Sequence, residues 1–164
     1  MAKLNIPKNY LSLTLFELIS QIIDNKKIAV IEKLKIHKPD DYQKVIKSIN
    51  EILDEDYQLE LVSVTEGEQD ENQWILEIAC DETSLEFSIL QEEDKIDDRG
   101  IVDGINQIFS KLKADFLLFS FWDSEWDSHT IGFGIIPSKS KKQILELINA
   151  RKENDWFELF YISS

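Results

Sequence analysis

The chain has 164 residues, with 32 acids against 18 bases for a formal charge of −14, a single cysteine and 43% hydrophobic residues. That length fits one domain that buries a core without disulfides or metal, and nine phenylalanines are out of place in a disordered acidic chain. The acid surplus argues against nucleic-acid binding, which needs clustered Lys and Arg, and against docking on anionic lipid.

The opening residues hold no apolar run of the signal-peptide kind, and no stretch reaches the ~18–20 apolar residues of a membrane span. The expected location is therefore cytoplasmic. Thr14-Leu15-Phe16-Glu17 has the hydroxyl and the acid of a capping box, and Leu15, Leu18, Ile19, Ile22 and Ile23 follow at helical spacing. A helix is predicted over 14–24. Residues 28–36 are β-rich and partly alternating, which fits a strand or a continued helical region. Pro39, Asp40 and Asp41 open a second helix, with Tyr42, Val45, Ile46, Ile49, Ile52 and Leu53 as its apolar stripe.

Three alternating stretches follow, Tyr57–Val64, Trp74–Cys80 and Leu85–Leu90. Short polar connections such as Asp81-Glu82-Thr83 predict antiparallel hairpins with an acidic face toward water. Residues 91–100 read as an exposed loop inside the domain. Ile101, Val102, Ile105, Ile108, Phe109 and Leu112 make a third helix. The nearly unbroken apolar run Phe116–Trp122 predicts a strand buried on both faces and central in its sheet. Ile131, Phe133 and Ile135 pair with it. Gly132 and Gly134 leave bare positions between them for close packing, as by a helix. Ile144, Leu145, Leu147 and Ile148 make a fourth helix. A last strand carries Phe157, Leu159 and Tyr161 on one face, and Trp156, Phe160 and Ile162 on the other. Strands in runs with helices between them predict one α+β domain over 1–164, with a mostly antiparallel sheet and about four helices packed on it.

Catalytic patterns are sparse. Cys80 lies in an apolar alternation and reads as a buried structural thiol. Ser128 and His129 are adjacent, which on a strand places them on opposite faces. No Gly-x-Ser-x-Gly elbow or phosphate loop is present, and His37 and His129 have no metal-ligand spacing. Asp123, Glu125 and Asp127 alternate as calcium ligands do, but lack the glycine and closing glutamate of a calcium loop. No cofactor, metal or catalytic residue is therefore assigned.

The charge is unevenly placed: residues 1–50 carry +4, 51–100 carry −16 and 101–164 carry −2. The connection Trp122-Asp123-Ser124-Glu125-Trp126-Asp127 places a tryptophan among carboxylates, and a turn needs no tryptophan. Trp anchors interfaces and acids supply complementarity, so Trp122, Asp123, Glu125, Trp126 and Asp127 are candidates for holding a basic protein partner. The alternative folds Trp126 back onto the sheet as a satellite core. Glu92, Glu93, Asp94, Asp97 and Asp98 form a second candidate group. Glu66, Glu68, Asp70 and Glu71 form a third, and each such charge run also reads as a solvated face.

A small acidic cytosolic α+β chain without catalytic motifs, bearing the acidic loop 123–127, resembles the immunity proteins of bacterial toxin–immunity pairs, including those of contact-dependent growth inhibition. The resemblance implies a non-enzymatic inhibitor that binds a basic toxin domain, commonly a nuclease, and occludes its active or nucleic-acid-binding surface. Two other readings stand beside it: a cytosolic interaction or regulatory domain acidic only for solubility, and a metal-dependent hydrolase using the acid loops.

Overall fold

The computed structural model describes residues 4–67, 72–150 and 159–164. Helices and strands alternate in the expected order: α1 Leu15–Ile22, β1 Ile28–Ile31, α2 Tyr42–Asn50, β2 Glu60–Glu66, β3 Gln73–Cys80, β4 Thr83–Leu90, α3 Asp98–Lys111, β5 Phe116–Phe121, β6 Ile131–Pro137, α4 Lys141–Asn149 and β7 Phe160–Ile162. The fold is α+β, and among the described residues every strand pairing is antiparallel. Among the described residues no helix is long and apolar enough to cross a membrane.

Where one sheet was expected, the strands divide into two. β1-β6-β5-β7 form a four-stranded sheet and β2-β3-β4 a meander. The division follows from where apolar side chains must go. α2 packs against β1 and β2, and α3 against β4 and β5, so the two helices lie between the sheets and bury both inner faces. That layer joins Val45, Ile46 and Ile49 of α2 with Ile101, Ile105 and Phe109 of α3, Leu76 and Ile78 of β3, and Phe133 of β6 in one core. A second core covers the opposite face of the larger sheet. There Leu15, Leu18 and Ile19 of α1 and Ile144 and Ile148 of α4 pack on Phe119, Phe121, Ile136, Phe160 and Ile162.

The capping box predicted for α1 is complete: Glu17 N donates to Thr14 Oγ1, and Thr14 N donates to Glu17 Oε1. β1 is shorter than its apolar run, because the chain after Ile31 turns through Lys33 at φ 52°. The β3–β4 hairpin closes through Asp81-Glu82, with Cys80 opposite Thr83 and Asp81 at φ 53°. The alternation of β2 is interrupted by a bulge between Leu61 and Ser63. Leu61 and Val64 therefore both lean on the core, while Val62 points to water at 49% exposure.

Two expectations need correction. The bare surface at Gly132 and Gly134 is filled by rings from the neighbouring strand, not by a helix. Gly132 lies opposite Phe121 and Gly134 opposite Phe119, and each ring folds across the glycine facing it. The stretch 91–100 is not an exposed loop throughout. Gln91 and Ile96 are buried, and α3 begins at Asp98, so Arg99 and Gly100 belong to its first turn. In the last strand Phe160 and Ile162 share a buried face and Tyr161 takes the other. Trp156 and Phe157 lie outside the described residues.

Candidate interaction site

The β5–β6 connection is built from its own carboxylates. Asp123 is 6% exposed. Its Oδ2 accepts from Phe16 N at 2.8 Å and its Oδ1 from Glu125 N at 2.9 Å. Phe16 N belongs to the first turn of α1, where a backbone N–H has no intrahelical partner and the helix dipole favours an anion. The expected partner-binding carboxylate is thus committed inward, tying the loop to α1. Asp127 Oδ1 accepts from His129 N at 2.8 Å and Oδ2 from Thr130 Oγ1 at 3.0 Å. These bonds hold the Asp127 carboxyl below its ordinary range.

Trp126 folds back onto the sheet, as the second of its two readings had it, without being closed off from water. Its ring sits 5.1 Å from Phe16 and 5.5 Å from Phe121, so it caps the second core, yet it stays partly exposed. With Phe16 it walls a groove of about 430 Å³ over β1, completed by Val30, Glu32, Lys33, Glu125, Asp127 and Thr130. Val30 is open to water because β1 is the sheet's edge strand. Trp122 lies apart from this groove, packed against the inter-sheet core.

The second acidic group meets the first at one point. Asp94 Oδ1 lies 3.0 Å from His129 Nε2. The segment between β1 and α2 threads beneath them, with Leu34 N donating to His129 O and Ile36 N to Asp94 O. The hydrogen bond with His129 is the largest cause holding the Asp94 carboxyl low. Glu92 and Glu93 are exposed. Asp97 and Asp98 are occupied internally. Asp97 caps α3 through Gly100 N and also accepts from Leu90 N. Asp98 Oδ2 accepts from Ser120 Oγ at 2.5 Å.

Burial raises the Asp98 pKa, against the opposing pull of the Ser120 hydrogen bond. A carboxyl held above its unfolded value binds its proton more tightly in the folded chain, so its contribution to stability declines as pH rises through the folded pKa. Asp98→Asn keeps the acceptor and removes the charge. It is expected to raise the urea midpoint at pH 7 and to match the parent below about pH 4, where an unfolded aspartate is protonated. A lower midpoint at pH 7 would contradict this.

Ser128 and His129 do not take opposite faces, because both sit on the turn and not on a strand. Ser128 Oγ lies 3.3 Å from His129 Nδ1, giving a line of Ser128, His129 and Asp94. A nucleophilic relay also needs donors for a developing oxyanion and a place for substrate. Ser128 is exposed, and neither it nor His129 lines the adjoining groove. The histidine here acts as a latch between two loops. Cys80 is buried, and burial raises its thiol pKa. Among the described residues no three His, Cys, Asp or Glu side chains converge as metal ligands. Another cleft, about 460 Å³ and mainly apolar, lies at the other end of β5, lined by Ile22, Ile23, Leu53, Phe116 and Ile136.

Of the residues singled out in the sequence, Glu125, Trp126 and Asp127 come together in the groove, and Asp94 adjoins through His129. Asp123, Asp97 and Asp98 serve the fold, Glu66 is exposed beyond the groove's lining, and Glu68, Asp70 and Glu71 lie outside the described residues. Phe16, Val30 and Glu32 were not foreseen, since nothing local to the sequence says that α1 and the edge of β1 meet the β5–β6 connection. Comparison with known protein families, with curated proteins and with solved structures gives no match.

Proposed function

We propose that this protein is a non-catalytic inhibitor that neutralises a basic protein partner, a toxin domain, by covering its active or nucleic-acid-binding surface. One observation carries the reading: the surface carboxylates are largely unspent. Among the described residues two lysine–carboxylate ion pairs form, Lys27–Asp54 at 3.4 Å and Lys44–Asp41 at 3.6 Å, against a net charge of −14. A field of that sign raises the encounter rate with a cationic partner. The groove supplies what the field lacks, an aromatic wall with Glu32, Glu125 and Asp127 at its rim.

Glu32 and Glu125 are exposed and test the groove without disturbing the core. Glu32→Lys/Glu125→Lys is expected to abolish protection of cells expressing the cognate toxin domain and to weaken the purified complex at least about tenfold, or ~1.4 kcal/mol. Folding stability is expected to stay within ~0.5 kcal/mol, as for most surface changes. If cells expressing a toxin encoded beside this gene die equally with and without the protein, the inhibitor reading is wrong.

A further inference from the structure

The β2-β3-β4 sheet has one face on α2 and α3, and its other face carries no layer among the described residues. Val62 and Leu90 stand on that outer side, each 49% exposed, and Ile75 lies between the flanking strands on the same side. A sheet face normally hides such residues against a second layer. Three strands spaced ~4.8 Å apart offer a strip ~10–14 Å wide, the width of one α-helix with its side chains.

The charge on this face selects the occupant. Glu77 and Glu86 are directly opposite each other on β3 and β4, where side chains stand ~4.5–5.5 Å apart and like charges oppose folding. Glu60 extends the same sign along β2. From Glu51 to Asp94 the chain holds no Lys, Arg or His, so the strands carry no cation to offset them. A local conflict kept on an open, partly apolar face marks a surface completed from outside.

We propose that this outer face docks a basic amphipathic helix of a partner protein, whose apolar stripe covers Val62, Ile75 and Leu90 and whose lysines or arginines neutralise Glu77 and Glu86. The inference goes beyond the toxin reading, because any partner presenting such a helix qualifies. The failure of toxin protection would leave it standing.

The test uses a synthetic lysine- and leucine-based amphipathic helix of ~18 residues, long enough to cross the strip, and a scrambled peptide of equal composition. Binding is followed by fluorescence anisotropy to the full chain at two salt concentrations. The amphipathic peptide is expected to bind about tenfold tighter than the scrambled one, and more weakly at high salt. Glu77→Gln/Glu86→Gln is expected to weaken it about tenfold while raising the thermal midpoint by removing the repulsion. Val62→Ser/Leu90→Ser is expected to weaken it as well. Glu51→Gln/Glu55→Gln makes the same charge change outside these strands and is expected to change affinity less than about twofold. Equal loss in that control means diffuse attraction and overturns the proposal. Equal loss in Glu32→Gln/Glu125→Gln would move the peptide to the groove and overturns it too. A dimer in sedimentation that Val62→Ser/Leu90→Ser dissolves would assign the face to a second copy of the chain, with the same consequence.

Discussion

Gly132→Ala/Gly134→Ala is expected to destabilise the protein by about 2–6 kcal/mol, from ~1–3 kcal/mol of overpacking at each site. Neither glycine has positive φ, so the backbone accepts alanine, and unfolded-state entropy alone would favour it by ~0.4–1 kcal/mol. The rings reverse the sign. A Cβ at Gly132 would lie 2.2 Å from Phe121 Cζ, and one at Gly134 would lie 2.2 Å from Phe119 Cζ. Those rings have nowhere to retreat. Phe119 stacks on Phe160 at 5.0 Å, and Phe121 is held by Phe119, Phe16 and Trp126. Since domains are stable by only ~5–15 kcal/mol, the double variant approaches the limit of folding. Denaturant unfolding measures the loss. In the Gly132→Ala background Phe121→Leu is expected to recover part of it, although Phe121→Leu alone is destabilising. An unchanged midpoint in the glycine variants would refute the ring-on-glycine packing. The same substitutions bear on the groove, because Phe121 supports Trp126, so a displaced ring would blunt partner binding as well as stability.

The elements were legible wherever period and punctuation agreed. Thr14 and Glu17 marked the start of α1, Pro39 and Asp41 announced α2, and the alternation of Trp74, Leu76, Ile78 and Cys80 gave β3 with its buried face. Two sheets in place of one were not legible, because both kinds of strand show apolar alternation and only the placement of α2 and α3 between them separates the faces. The bulge at Val62 was invisible, since valine suits either side of a strand. At the site, residue type misled. Asp123, Asp97 and Asp98 look like any other surface carboxylates. What withdraws them is the backbone N–H of Phe16, the start of α3 and the hydroxyl of Ser120, all of them tertiary or capping partners. Trp126 was legible as unusual but not as shared between core and groove. The charge asymmetry, by contrast, needs no fold to be read, and it leads to both proposed surfaces.

Asn106→Ala is expected to cost about 2–6 kcal/mol, and the reason lies in how β5 is paired. β7 covers β5 only from Phe119 to Phe121. One residue earlier, Leu118 presents its N–H and C=O on the same edge, inside the core. Asn106 of α3 takes the place of the missing strand. Its Oδ1 accepts from Leu118 N at 2.8 Å and its Nδ2 donates to Leu118 O at 2.9 Å. Nδ2 also donates to Ser163 Oγ at 3.0 Å. Alanine leaves two buried backbone groups unpaired, at ~1–3 kcal/mol each. Asn106→Asp separates this account from a simple packing defect, since it keeps the shape. An ionised aspartate accepts from Leu118 N but has no proton for Leu118 O, and it buries a charge. Its protonated form restores a donor beside an acceptor, as the amide had. Burial raises the pKa of such a carboxyl, so its deficit relative to the parent at equal pH is expected to be large at pH 7 and to shrink as the solution is acidified. Comparison at equal pH matters because Asp41, Asp94 and Asp127 are held low in the folded chain and withdraw stability from both proteins as they protonate. Amide exchange at Leu118 gives a local readout, accelerated in Asn106→Ala. A deficit in Asn106→Asp that is constant across pH would show that volume, not the paired hydrogen bonds, is what Asn106 supplies.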